Sequence, residues 1–300
     1  MGSRFQVRRL ASALGAEVRD VKLAGCDGEV IAEIRRLLLE HQVLFFPDQH
    51  LDDAEHVAFG ENFGELEGHP HLTNADQEQR LFVLKASRGG VADEWHSDLS
   101  FLPQPALFSV LQLMKCPEVG GDTLWANTAL AFEELSPPLR DLCEGLSALH
   151  NAEPHGRPEV MHIHPVVRVH PETGRKILFV NEHFTRRIVE LSAEESTLLL
   201  DYLQSWITRP RFTVRYSWRP GTVAIWDNRC TQHNVLNDFE GERIIQRITI
   251  MGDEPRGEEP RWTPYARPGG PSDTSRYDRM LRHYLKEQAE LKERAEAKRG

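Results

Sequence analysis

Cysteine is scarce in this chain. There are four in 300 residues (Cys26, Cys116, Cys143 and Cys230), far apart and with no CxxC pair. A short disulfide-stapled secreted framework is therefore excluded, and free thiols in a reducing compartment are expected. Long apolar runs are missing as well. No stretch approaches the ~18 residues of a membrane span, and Met1 to Asp20 holds no apolar core of the kind a secretory leader needs. A cytoplasmic protein with no membrane partner is expected. Basic residues are outnumbered, 36 Lys and Arg against 46 Asp and Glu, for a net charge of −10. Such a surface repels a phosphate backbone, so nucleic acid is not an expected partner, although a small anion can still be held where basic residues gather in a pocket. There is no internal repeat. What is present is an ordinary globular balance, 40% hydrophobic and 27% charged residues, enough to bury a core without disulfides or a structural metal.

At ~150 residues per domain the length allows two domains, but β-barrel enzymes often use it as one. The segment Phe5 to Leu10 reads as an opening strand. Asp27 to His41 carries Val30, Ile31, Ile34, Leu37 and Leu38 at helical spacing behind a capping Asp27. Val43 to Phe46 reads as a short buried strand, and Asp52 to Phe63 as a helix stopped at Gly64. From Leu81 to Ile250 the pattern turns to short apolar runs: Leu81–Leu84, Leu107–Leu113, Val166–Val169, Ile177–Val180, Thr213–Tyr216, Val223–Trp226 and Ile244–Ile250. Many such runs indicate a β sandwich or barrel. Helical patterns interrupt them at Thr128–Leu135, Pro138–Leu146 and Ala193–Ile207. Pro255 to Ser275 reads as an extended surface segment. Tyr277 to Arg299 reads as a charged helix with Met280, Leu281, Tyr284 and Leu285 available for docking, between protomers if the chain assembles.

The sharpest chemical feature is Trp95-His96-Ser97-Asp98. In a strand, His96 and Asp98 share a face and can take adjacent positions on a metal. His233, after a short strand and a polar turn where a barrel has its rim, supplies a third ligand. Two His and a carboxylate on one face of an octahedron suit non-haem Fe(II) oxygen chemistry. Glu94 lies on the same strand face as a competing ligand. The other histidines, His150, His155, His162, His164, His170 and His183, fall in apparent loops.

In Arg243-Ile-Ile-Gln-Arg247-Ile-Thr-Ile the two arginines share one strand face, about 13 Å apart at ~3.3 Å per residue. Buried arginines need anions. Those anions are protein carboxylates or, alternatively, a carboxylate cosubstrate and an anionic substrate. Gly120-Gly-Asp-Thr123 is a tight turn that offers a hydroxyl to the same purpose. On these residues alone three readings stand: an oxygenase, a metal-dependent hydrolase activating water on the same ligands, and a non-catalytic small-molecule-binding barrel. The hydrolase leaves the arginine pair unexplained.

The set Trp95-His96-Ser97-Asp98, Gly120-Gly-Asp-Thr-Leu-Trp-Ala126, His164-Pro-Val-Val-Arg-Val-His170, Val180-Asn-Glu and Trp226-Asp-Asn-Arg-Cys-Thr-Gln-His233 resembles the TauD/TfdA family, the taurine, alkylsulfatase and 2,4-D dioxygenases. The resemblance runs in one order from about Leu10 to Gly252. It implies a mainly β fold with flanking helices, a double-stranded β-helix (jelly-roll, cupin-like, clavaminate synthase-like). It divides the chain into a single dioxygenase domain at 1–253 and a Pro/Gly-rich segment with a charged helix at 254–300. It implies dependence on Fe(II), 2-oxoglutarate and O2, with succinate and CO2 as coproducts. His96, Asp98 and His233 match the metal ligands and catalytic centre. Thr123 and Arg243 match the pair holding the distal carboxylate of 2-oxoglutarate. Arg247 matches an arginine beside cosubstrate and substrate anion, His69 a substrate-contacting histidine, and Leu99 a backbone N–H on the same anion. Phe184 and Trp95 are placed as pocket walls or, alternatively, as apolar core residues. The implied substrate is a small anionic molecule, a sulfonate, sulfate ester or aryloxy acid, whose hydroxylated product can fragment. Leu72 and Ala92 replace polar groups of the taurine enzyme, so taurine itself is not expected. The His150–His164 stretch and the His233-to-Arg243 spacing are both shorter than in that enzyme. A homo-oligomer is also implied.

Overall fold

The computed structural model describes residues 5–68, 80–86, 93–266 and 276–297. The chain opens with β1 (Gln6–Arg9), β2 (Ala16–Arg19), α1 (Gly28–His41), β3 (Val43–Phe46) and α2 (Asp53–Glu61). Next come β4 (Phe82–Ala86), β5 (Ala106–Lys115), β6 (Thr123–Asn127), α3 (Thr128–Glu133) and α4 (Pro137–Glu144). The middle holds β7 (Ser147–Ala152), β8 (Arg157–Pro165), β9 (Val167–Val169), β10 (Lys176–Leu178), β11 (Thr185–Ile188) and α5 (Ala193–Ile207). Last are β12 (Thr213–Tyr216), β13 (Val223–Asp227), β14 (Thr231–Val235), β15 (Arg243–Met251) and α6 (Arg276–Ala297).

Strand alternation explains the layers. Leu44, Phe46, Phe108, Val110, Ile225 and Ile248 turn outward beneath Val30, Ile34, Leu37 and Leu38 of α1 and Phe59 of α2. Their neighbours Val43, Phe45, Leu111, Leu113, Ala224, Trp226 and Ile245 turn inward. They belong to a seven-stranded sheet ordered β1-β2-β3-β13-β5-β15-β4, which faces a three-stranded sheet ordered β12-β6-β14. Aromatic rings fill part of the space between: Phe45 stacks on Tyr216 at 3.8 Å and meets Trp125 edge-on at 5.1 Å. The result is a jelly roll with helices outside it. Helix starts follow local chemistry. Asp27 accepts from Val30 N at 2.9 Å, and Asp52/Glu55 and Ser192/Glu195 form reciprocal capping boxes, each cap worth about 1 kcal/mol.

A third sheet, β11-β7-β8, contains the stretch from His150 to His164, so His150, His162 and His164 lie on strands and not in loops. Beyond β15 the chain folds back over the body. Val169 N donates to Arg256 O at 2.7 Å, Arg261 N to Gly145 O at 3.0 Å and Tyr265 N to Val189 O at 3.0 Å. The apolar face of α6 is used within its own chain, where Leu281 packs on Leu149 and Val189. Buried Asp278 accepts from Arg187 Nε at 2.5 Å, and Tyr284 OH meets His162 Nδ1 at 3.0 Å. Among the described residues no helix is long and apolar enough to cross a membrane. All four cysteines are unpaired.

Breaking a buried ion pair from one side strands the other charge. Asp278→Ala is therefore expected to cost about 3 kcal/mol and to release α6. Thermal unfolding and amide exchange over 276–290 check this, and unchanged protection of α6 would show that the pair does not hold it.

Candidate active site

His233 sits mid-strand, paired to Trp125 of β6, and not at the rim that the polar turn before it suggests. Pairing with β6 begins at Thr231, so the turn ends two residues earlier than the rim reading requires. His96 and Asp98 also depart from the expected strand. His96 forms an isolated bridge to His233, with His96 N donating to His233 O at 3.0 Å and His233 N to His96 O at 2.8 Å. The chain then turns through Leu99 at φ +57°, a left-handed conformation that costs a leucine about 1–2 kcal/mol. Continued strand pairing is incompatible with that turn. Before that turn, His96 Nε2 and Asp98 Oδ1 are already 3.8 Å apart. One ligating atom from each of His96, Asp98 and His233 lies within 4.8 Å of the others, all three residues being buried.

The donor set fits a metal. His96 Nδ1 lies 2.8 Å from Glu94 O, a pure acceptor, so the proton resides on Nδ1 and the Nε2 lone pair faces Asp98. Burial pushes His96 down to about 4 and His233 well below the ordinary imidazole range, leaving both neutral. Burial pushes the Asp98 carboxyl up. The Arg247 charge, the two imidazoles and the Ser109 hydrogen bond outweigh that and hold it well below the usual carboxylate range. Glu94 does not compete: its carboxylate meets His183 Nδ1 at 2.7 Å and is exposed.

The arginines divide. Arg247 Nη1 donates to Asp98 Oδ1 at 2.9 Å, so one of the two expected anions is a protein carboxylate. Arg243 is 1% exposed. Its Nε donates to Gly121 O at 3.1 Å and its Nη2 reaches Thr123 Oγ1 at 3.4 Å. Among the described residues no carboxylate is within ion-pair distance of it. Burial pushes Arg243 down to about 10, the mark of a cation short of an anion. Thr123 Oγ1 accepts from Trp218 Nε1 at 2.9 Å, which leaves its own hydrogen to donate. Gly121, at φ +68°, lets the turn reach Arg243: a Cβ there meets Pro117 Cγ at 3.1 Å and Arg243 Cδ at 3.4 Å.

His96, Asp98, His233, Thr123, Arg243, Arg247, Leu99 and Phe184 all line one cavity of about 200 Å³. His69, Leu72 and Ala92 lie outside the described residues. Trp95 takes the core alternative. It packs against the separate core around Phe132 and Leu203. Two further imidazoles line the cavity, His155 and His183, and the sequence gives them no distinguishing spacing. Ser109 Oγ donates to Asp98 Oδ2 at 2.7 Å. Its only signal was a polar residue at an inward position of an apolar run. A second cluster, His170, Asp227 and Cys230, is internally satisfied. Arg229 takes both Asp227 oxygens, at 2.9 and 2.6 Å, and His170 Nε2 meets Oδ2 at 3.1 Å.

A jelly roll carrying two neutral imidazoles and a carboxylate on one side of a cavity has the architecture and donor set of a non-haem iron oxygenase. The chain belongs to the taurine catabolism dioxygenase TauD, TfdA family, whose model matches residues 6–249. It is 39% identical over 276 residues to an alkylsulfatase of Acinetobacter baylyi, covering 84% of this chain and 87% of the relative. It is 38% identical to an alpha-ketoglutarate-dependent sulfate ester dioxygenase of Pseudomonas putida, covering 84% and 91%. The crystal structure of a taurine dioxygenase from Burkholderia xenovorans superposes with a TM-score of 0.78 at 36% identity, over 88% of this chain and 97% of that one.

Buried neutral histidines make stability pH-dependent. Burial lowers His56 to about 4 and His150 to about 3, against an ordinary value of 6.5. Between those values the unfolded chain takes up protons that the folded chain refuses, so stability falls as pH drops below 6.5, by about 1.4 kcal/mol per unit for each histidine. Thermal unfolding of the chelator-treated protein at pH 7 and pH 5 is expected to show a clear loss at pH 5. Equal midpoints would contradict it.

Proposed function

We propose that this chain is an Fe(II)- and 2-oxoglutarate-dependent dioxygenase that hydroxylates a small anionic organic substrate, with sulfate esters the favoured class. The observation that carries the reading is the pairing, within one cavity, of the His96–Asp98–His233 cluster with a buried Arg243 that has no counter-ion among the described residues. A hydrolase on the same ligands has no use for that arginine. The names of the relatives, alkylsulfatase and sulfate ester dioxygenase, support the substrate class, and sulfonates and aryloxy acids are the other members to test.

In this reading His96, Asp98 and His233 hold the metal, and Arg243 with the Thr123 hydroxyl holds the far carboxylate of 2-oxoglutarate. When bound, ferrous ion and the keto acid supply the oxidising chemistry: O2 is consumed, succinate and CO2 are released, and one oxygen atom enters a substrate C–H bond. The protein's part is placement. Arg247 keeps Asp98 ionised. With the Leu99 N–H and His69 it also meets the substrate anion. Phe82, Leu84 and Phe184 provide an apolar wall for the organic portion. For a sulfate ester, hydroxylation at the carbon bearing the ester oxygen gives an unstable adduct that expels sulfate and leaves an aldehyde.

The division into a dioxygenase domain at 1–253 and an appended segment and helix at 254–300 is part of the proposal, as is assembly into a homo-oligomer, which sedimentation checks. Cytoplasmic placement is supported by the four unpaired thiols.

The test is succinate formation with Fe(II), 2-oxoglutarate and O2 over a panel of alkyl sulfates, alkylsulfonates and aryloxy acids. Succinate is expected to rise with alkyl sulfates. His96→Ala is expected to lose about 100-fold or more of that turnover together with bound iron, and Arg243→Met to raise the KM for 2-oxoglutarate about 100-fold. Full activity in His96→Ala, or turnover without 2-oxoglutarate, would overturn the assignment.

A further inference from the structure

Asp98 is gripped at both oxygens. Oδ1 takes Arg247 and faces His96 Nε2, while Oδ2 accepts from Ser109 Oγ at 2.7 Å. Ser109 is fully buried on β5, directly across from Trp226 of β13. Its hydroxyl has one hydrogen, so where that hydrogen points depends on what else approaches the oxygen. The neighbour is Asn228, also buried, with Nδ2 2.8 Å from Ser109 Oγ. Asn228 follows β13 at once, and its own N–H is clamped to Leu107 O at 2.9 Å.

The orientation of the Asn228 amide is decided by its other side. Oδ1 receives two groups that can only donate, the Trp226 indole N–H at 3.0 Å and the Asp98 backbone N–H at 3.2 Å. A flipped amide sets NH2 against two N–H donors and is excluded. The NH2 therefore points at Ser109, Ser109 must accept from it, and the single hydroxyl hydrogen is directed to Asp98 Oδ2. A hydrogen-bond relay of fixed polarity runs from Trp226 and Asn228 through Ser109 to the carboxylate.

We infer that Ser109 and Asn228 are positioning residues that fix the orientation of the Asp98 carboxylate, tying Oδ2 to β5 so that Oδ1, the oxygen facing His96 Nε2, is the one presented to the metal. A carboxylate free to use both oxygens takes a second coordination position, one that cosubstrate or O2 needs in an open-sided site. The inference rests on the reading of Asp98 as a metal ligand. The bland alternative, a polar patch that merely satisfies the packing of β5 on β13, predicts the same folding cost but no change at the metal.

The experiment titrates Co(II) into the chelator-treated full-length protein, following visible absorption, for wild type, Ser109→Ala, Asn228→Ala and the matched pair Ser109→Thr and Ser109→Val. Thr and Val have nearly the same shape and differ in the hydroxyl, so the pair separates the hydrogen bond from packing if Ser109→Ala does not fold. The relay predicts about tenfold weaker Co(II) binding in Ser109→Ala and Asn228→Ala, an altered Co(II) spectrum, and recovery of both in Ser109→Thr but not in Ser109→Val. Equal affinity and identical spectra for the Thr and Val variants overturn the relay while leaving the metal reading intact. A wild-type chain that binds no Co(II) overturns the metal reading and the relay with it.

Discussion

Two backbone hydrogen bonds, His96 N to His233 O and His233 N to His96 O, hold the candidate site together. They clip the segment around His96 onto β14 for a single bridge, short enough for the chain to turn away at once through Leu99. Longer pairing would carry Asp98 along the sheet, on a face set by alternation alone. The strained leucine is tolerated because neighbouring groups over-determine it. Asp98 N is held by Asn228, Ser97 Oγ donates to Thr231 O at 2.7 Å, and Ser100 is tied to His150 and Asn181 at 3.1 and 3.0 Å.

Electrostatics then divide the barrel interior. Burial keeps the imidazoles neutral, while the carboxylate between them stays charged because Arg247 and Ser109 answer it. Arg243 is left facing the cavity with a carbonyl and a hydroxyl as partners and no anion among the described residues. The Asp227–Arg229–His170 group is the instructive contrast. It brings similar residue types equally close, but each lone pair of Asp227 already has a donor, and nothing is left to offer an ion.

Legibility in the sequence followed the range of the interactions. The start of α1 at Asp27, the helical spans of α2 and α5 and the limits of β12 were readable because each is decided within a few residues. The common face of Arg243, Ile245 and Arg247 was readable for the same reason. The bridge at His96 and the mid-strand setting of His233 were not. Each depends on a partner far along the chain, as the Arg247–Asp98 pair does across 149 residues.

By itself the sequence determined which chemical groups exist and which local conformations they adopt: a His-x-Asp triplet, a distant histidine, two arginines in register on one strand face, a glycine turn before a threonine. Only the tertiary structure decided which of these meet. Alternation assigns a side chain to a face, but strand pairing chooses the face opposite. That choice set Arg247 against Asp98, left Arg243 with no anion among the described residues, and put Ser109, a polar residue in an apolar run, within hydrogen-bonding distance of the carboxylate.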